Sequence, residues 1–169
     1  MIIINGIKTN QYAEPIIKQS INELDKLSFK LPNELIANVN NEDAVIYKGH
    51  SYTIKEIDNN KIYCVYDVDE LLEIYIESKI LTALTIKDNM NKLLEGSGWT
   101  CEGDNSENRK AFTFNNTNIY DAVMEMAEKY DYEVRFDNVL KKVYFAAELG
   151  SDKGAYAAEG LNLSAFHVN

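Results

Sequence analysis

Any chemistry performed by this chain has to come from a short inventory of side chains. His50 and His167 are its two histidines, and neither an H-E-x-x-H helix nor a G-x-S-x-G nucleophile turn occurs in the sequence. His50 follows Gly49 and reads as a solvated turn residue. The densest run of carboxylates is Asp67, Asp69, Glu70, Glu73 and Glu77. On an extended segment Asp67 and Asp69 share a face, where paired acids can hold a hard cation or work as a glycosidase pair. No calcium loop with a turn glycine and a terminal Glu follows, and a solvated acidic surface explains the run equally well. Gly96-Ser97-Gly98 has the composition of a phosphate loop. Its context is wrong, because it ends a helix, whereas phosphate loops leave a strand and open a helix so that free N–H groups face the anion. A helix C-cap followed by a tight turn accounts for it. Cys64 and Cys101 stand far apart in apolar, strand-like surroundings, which marks buried thiols and speaks against a metal site or a disulfide framework. The inventory assigns no catalytic, metal or cofactor-binding residue, and no cofactor is expected.

The bulk properties narrow the function classes further. With 169 residues and 46% hydrophobic content the chain can build one substantial core, or two small domains sharing an interface. Its formal charge of -10 arises from 27 acidic against 17 basic residues, and no stretch interleaves Lys and Arg with aromatics. Specific nucleic-acid binding, which needs a basic footprint, is therefore not expected. The apolar start at Met1–Ile4 stops at Asn5-Gly6, too short for a signal-peptide core or a membrane span. A protein kept in the cytosol, or released by lysis, is the expectation.

Stepping from side chains to the elements that must carry them, residues 1–82 read as a β-rich, barrel-like domain. Ile2–Ile4 form a short strand; residues 15–21 and 24–31 alternate, with Leu27, Phe29 and Leu31 on one face, and Pro32-Asn33 closes that strand. Val45–Tyr47 turns at Gly49, and residues 52–57 and 62–66 make a hairpin around Asp58-Asn59-Asn60. Short strands at such close spacing favour a small barrel or sandwich. Residues 67–84 fit a strand and a helix almost equally.

From residue 83 to 149 the period changes. Thr85 with Asp88 makes a helix N-cap, Ile86, Met90, Leu93 and Leu94 form one apolar stripe, and Gly96 supplies the left-handed stop. Trp99–Cys101 and Ala111–Phe114 follow as strands. Asn118 with Asp121 repeats the cap, Ile119, Val123, Met126, Ala127 and Tyr130 repeat the stripe, and residues 132–136 and 143–146 add two strands. A helix-strand-strand unit thus occurs twice, and two copies can share one four-stranded sheet. The fold class is α+β: a barrel-like domain, a small α+β domain, and a segment 150–169 leading onward. Among the 11 tyrosines, Tyr63, Tyr66 and Tyr75 are candidate subunit anchors, since strand aromatics are otherwise core or cross-strand partners.

The order of these features resembles one known family. Leu24–Pro32 is similar to an early amphipathic strand ending in proline, and Tyr52-Thr53-Ile54-Lys55 to the hairpin strand after it. Leu93-Leu94-Glu95-Gly96-Ser97-Gly98-Trp99 resembles a helix end in which Ser97 stands where Thr is more usual. Glu133-Val134-Arg135-Phe136-Asp137 resembles the strand after the second helix, and Gly150–Gly154 with Gly160-Leu161-Asn162-Leu163 a glycine-rich close. The family is that of bacteriophage and prophage tail hub, tail-associated lysin and prophage endopeptidase tail proteins. Gly96, Gly98, Trp99, Glu133, Phe136 and Asn162 are the structural positions the likeness carries over.

That resemblance implies a structural module without an active site: a ring-forming, trimeric baseplate hub that closes the tail tube and joins the distal tail ring to a central spike or fibre. It places the chain at the virion tail tip, in the host cytoplasm during assembly. An acidic lumen would let DNA slide without binding. Two other classes stand against it: a cell-wall hydrolase fragment using an acid pair such as Asp67 and Asp69, and a generic ligand-binding α+β module, for which no convergent polar cluster is visible.

Overall fold

A computed structural model of the chain describes residues 1–20 and 22–149. Ile21 and the glycine-rich stretch, Asn162 included, lie outside the described residues.

The first half is a seven-stranded antiparallel sheet. Its strands are β1 (Ile2–Ile4), β2 (Ile7–Thr9), β3 (Ala13–Lys18), β4 (Lys26–Lys30), β5 (Ala44–Tyr47), β6 (His50–Asp58) and β7 (Lys61–Tyr66), in the order β2-β1-β5-β6-β7-β4-β3. Alternation decides which face each strand buries. Leu27, Phe29 and Leu31, then Ile62, Cys64 and Tyr66, point inward, while Lys61, Tyr63 and Val65 take the other face. The expected barrel does not close, because its outer strands β2 and β3 are not hydrogen-bonded to each other. The sequence gives the reason: β2 has three residues, and β3 carries Pro15, which lacks a donor, beside Glu14 at φ 52°. Register shifts at Ile54/Glu56 and Ala13/Ile16 bend the sheet instead. A short helix α1 (Asn33–Ile36), started by Pro32, fills a stretch that reads as strand end and loop.

In the second half the stretch 67–84 resolves into both of its alternatives. Helix α2 (Asp69–Glu73) is followed by the ten-residue strand β8 (Tyr75–Leu84). Next come α3 (Ile86–Leu94), β9 (Thr100–Gly103), β10 (Lys110–Asn118), α4 (Ile119–Tyr130), β11 (Glu133–Asp137) and β12 (Lys142–Ala146). Both long helices start as their sequences require: the Thr85 hydroxyl accepts the Asp88 N–H at 3.3 Å, and Asn118 Oδ1 accepts the Asp121 N–H at 2.8 Å. Gly96 ends α3 at φ +84°, with open space where a Cβ would stand, so its requirement is one of backbone conformation.

The shared four-stranded sheet is not formed. β10 pairs antiparallel with β8, whereas β9 runs parallel to β12, which pairs with β11. β8 extends well before residue 83, and seven register pairs from Lys110↔Leu84 to Asn118↔Tyr75 give β10 its partner there. A domain boundary at 82/83 therefore falls inside β8, and residues 75–82 belong to the second half. One continuous core runs from Ile2 to Phe145 through both halves. Within it Asn89 is fully buried on α3, donating to the Lys110 carbonyl at 2.8 Å and the Tyr130 hydroxyl at 3.0 Å. It ties α3 to β10 and α4.

Candidate functional site

The best-defined constellation lies where the two halves meet, and one asparagine organises it. The β11–β12 turn brings Asn138 against the ends of β6 and β7. Its side-chain amide donates to the carbonyls of Ser51 (2.8 Å) and Asp67 (2.9 Å), and its backbone N–H donates to the Tyr66 hydroxyl at 2.9 Å. The Tyr66 hydroxyl also meets His50 Nδ1 at 3.0 Å. Burial pushes the Tyr66 phenol up to about 12, so it serves as a neutral hydroxyl between the halves. His50, expected in a solvated turn, is instead the first residue of β6 and half-buried against Tyr66.

A second set of ties lies beside it. The Trp99 indole N–H donates to Glu70 Oε2 at 3.0 Å, and Lys141 Nζ reaches Glu70 Oε1 at 2.7 Å. These two bonds, Lys141 first, hold the Glu70 carboxyl below its ordinary value of 4.5. Trp99 packs edge-on against Phe136, and the Tyr120 ring lies tilted against the same phenylalanine with centroids 5.3 Å apart. Asn22 Oδ1 accepts the Val134 N–H at 2.8 Å. Between these ties a polar cavity of about 610 Å³ opens, lined by Asp25, Lys48, His50, Tyr66, Arg135 and Asp137 among others.

Each residue singled out in the sequence has a place in this geometry. Gly96 and Gly98 (φ +79°) shape the turn that delivers Trp99; Trp99 lies just before β9, not in it. Phe136 is buried in the seam, and Glu133 accepts the Leu149 N–H at 2.6 Å. The three tyrosines part company. Tyr75 is 63% exposed, with its hydroxyl donating to Asn116 at 2.7 Å. Tyr63 is half-buried beneath the Lys61 ammonium. Tyr66, at 6% exposure, is an anchor within its own chain and cannot also be a subunit anchor. Asp67 and Asp69 do not form an extended pair. Asp67 accepts the Asp69 N–H (3.0 Å) with one oxygen and the Ser51 hydroxyl (3.0 Å) with the other, which starts α2. Burial first, then Asp67, raises the Asp69 carboxyl. Cys64 is buried and its thiol pushed up to about 12; Cys101 is half-buried. Among the described residues no group of three or more His, Cys, Asp or Glu is placed to hold a metal, and no helix is long and apolar enough to cross a membrane. Asn138 escaped the sequence because an Asp-Asn turn looks like any other and its partners Tyr66 and Ser51 lie 72 and 87 residues away.

Comparison with known proteins agrees with this architecture. Residues 73–145 match the family model of the prophage endopeptidase tail domain. No curated protein sequence matches the chain. Among solved structures, prophage tail protein gp18 from Listeria monocytogenes EGD-e superposes with a TM-score of 0.64 at 12% identity, over 82% of this chain and 46% of that one. The tail protein from Neisseria meningitidis MC58 gives 0.56 at 11% identity, over 92% and 51%. The 43 kDa tail protein of prophage MuSo2 from Shewanella oneidensis gives 0.54 at 11% identity, over 85% and 53%. At such identities the likeness is one of fold, and the chain spans about half the length of these structures. The resemblance to prophage tail proteins seen in the sequence is borne out.

Proposed function

We propose, from the premise that residues 73–145 carry a prophage endopeptidase tail domain, that the chain is a structural component of a phage or prophage tail. More specifically, it forms part of the baseplate hub at the tail tip, assembles in threes, and links the tube to the distal tail ring and a central spike or fibre. The observation that carries this reading is the seam. Asn138 with Tyr66 and Ser51, and Asn22 with Val134, tie the two halves together, as a wall-forming subunit requires, and their polar atoms are used up in holding shape. The acidic excess of the chain suits a surface that DNA passes without adhering.

The acid-pair hydrolase alternative loses its geometric support, because Asp67 spends both oxygens on Ser51 and α2. Light scattering on the purified chain, alone and with neighbouring tail proteins, tests the proposal. A mass three times the 19.3 kDa chain, or a complex with those neighbours, is expected. A monomer that ignores every tail component overturns it, as does clearing of cell walls that disappears in Asp67→Asn.

A further inference from the structure

Polar side chains that stand far apart in the chain converge on the cavity of about 610 Å³ between the two halves. Asp25, Lys48, His50 and Tyr52 come from the first sheet and its turns, Arg135 and Asp137 from β11. A volume of this size at the junction of two structural units suits a small ligand. It has room for on the order of twenty water molecules.

Most buried polar groups are satisfied from within the fold. This set is not. Tyr52 is 2% exposed, yet its hydroxyl has no hydrogen-bond partner among the described residues, where Asn89 Oδ1 is the one fully enclosed side-chain atom left without a partner. The Tyr52 hydroxyl is therefore within reach of solvent, and the space that Tyr52 lines is this cavity. Burial, then Asp25, pushes its phenol up to about 12, which keeps it a neutral donor. Asp25 and Asp137 each spend Oδ1 on backbone N–H groups, that of Ser20 at 3.3 Å in one case and those of Val139 and Leu140 at 3.0 and 2.9 Å in the other. Although both carboxylates line the same cavity as Lys48 and Arg135, none of the four has an ion-pair partner among the described residues. Two positive and two negative charges thus share one water-filled space unpaired.

Those four charges decide what can enter. A ligand displaces the water that solvates them, and a charge left dry and unpaired is costly. An apolar ligand would strand all four, and a plain anion or cation would strand two. A molecule that carries both signs satisfies the set. Ile17 and Phe136 add an apolar wall that suits an aliphatic side chain. We propose that this cavity is a binding site for a short peptide with free termini, its carboxylate taken by Lys48 and Arg135, its ammonium by Asp25 and Asp137, and a backbone carbonyl by the Tyr52 hydroxyl. The site is independent of the assembly reading above and needs no second copy of the chain.

The test is calorimetric titration of the full chain at neutral pH with tri-alanine, against N-acetyl-tri-alanine, tri-alanine amide and sorbitol. Tri-alanine should bind about tenfold or more tighter than either blocked peptide, and sorbitol should give no heat. Tyr52→Phe should weaken tri-alanine binding about three- to tenfold without lowering the melting temperature of the unliganded protein, because the hydroxyl has no partner there to lose. In K48Q/R135Q, where both altered side chains are exposed, tri-alanine should bind no better than its amide. Equal affinity for the three peptides, sorbitol binding as tight as that of tri-alanine, an unchanged affinity in Tyr52→Phe, or no heat with tri-alanine up to about 10 mM each overturn the proposal. None of these outcomes touches the assembly reading, which light scattering decides.

Discussion

At the scale of single residues, Asn138 carries the largest share of polar contact between the halves. Replacing it by Ala removes donors to two carbonyls, Ser51 and Asp67, that stay part-buried. We expect Asn138→Ala to lower unfolding stability by about 1–3 kcal/mol in urea titration; an effect below a few tenths would show that water replaces the amide. Gly103 is a second sensitive position, for steric reasons: a Cβ there would sit 1.9 Å from the Phe145 carbonyl oxygen. Gly103→Ala must push β9 off β12 and should cost about 1–3 kcal/mol, read as a fall in melting temperature. The thiols give a third expectation. Burial raises both Cys64, to about 12, and Cys101, so native protein at mild pH should react with a thiol reagent far more slowly than unfolded protein. Rapid native labelling of Cys64 would contradict its packing. Of these, the burial of Cys64 was legible in its apolar, strand-like context; the contacts of Asn138 and Gly103 were not, because they come from strands remote in the chain.

At the scale of elements, legibility tracks how local the determinants are. The caps at Thr85 and Asn118, the stripes of α3 and α4 and the alternation of β4 and β7 lie within one turn or one strand, and the structure has them. Thr85→Ala and Asn118→Ala should each cost about 1 kcal/mol, measurable by thermal unfolding. Strand pairing is set by partners far along the chain, and there the repeat of helix-strand-strand units misled: β10 found β8, not its neighbour in the repeat. The short helix α1 escaped, and α2 stood only as one of two alternatives, since four and five residues leave no room for a 3.6-residue period to show. The seam followed the same rule. Trp99, Phe136 and the glycines were marked by their motif order, but their partner Glu70 was marked only as one acid among several.

At the scale of the whole molecule, the ties around Glu70 in the second half couple stability to pH. Glu70 is held below its ordinary 4.5 by Lys141 and Trp99. A depressed carboxyl contributes stability that is present above its unfolded value and lost as pH falls through the folded one. The packing of α2 against Trp99 and Lys141 within the second half should therefore weaken as pH drops below 4.5, and Glu70→Gln should flatten that part of the acid limb. The effect is modest, because Glu70 is largely exposed and screened by solvent. A Glu70→Gln acid limb as steep as the wild type's would remove Glu70 from the coupling.

The parallel pairing of β9 with β12 also sets an order of events during synthesis. Thr100 finds its register partner only at Lys142, so a nascent chain emerging N-terminus first exposes β9 long before anything can bond to it. Closure across so many intervening residues is entropically slow. The first sheet, whose pairings end at residue 66, can be complete while the second half is still waiting for its last strand, and a ribosome stalled before residue 142 would display a folded front half trailing an unzipped β9.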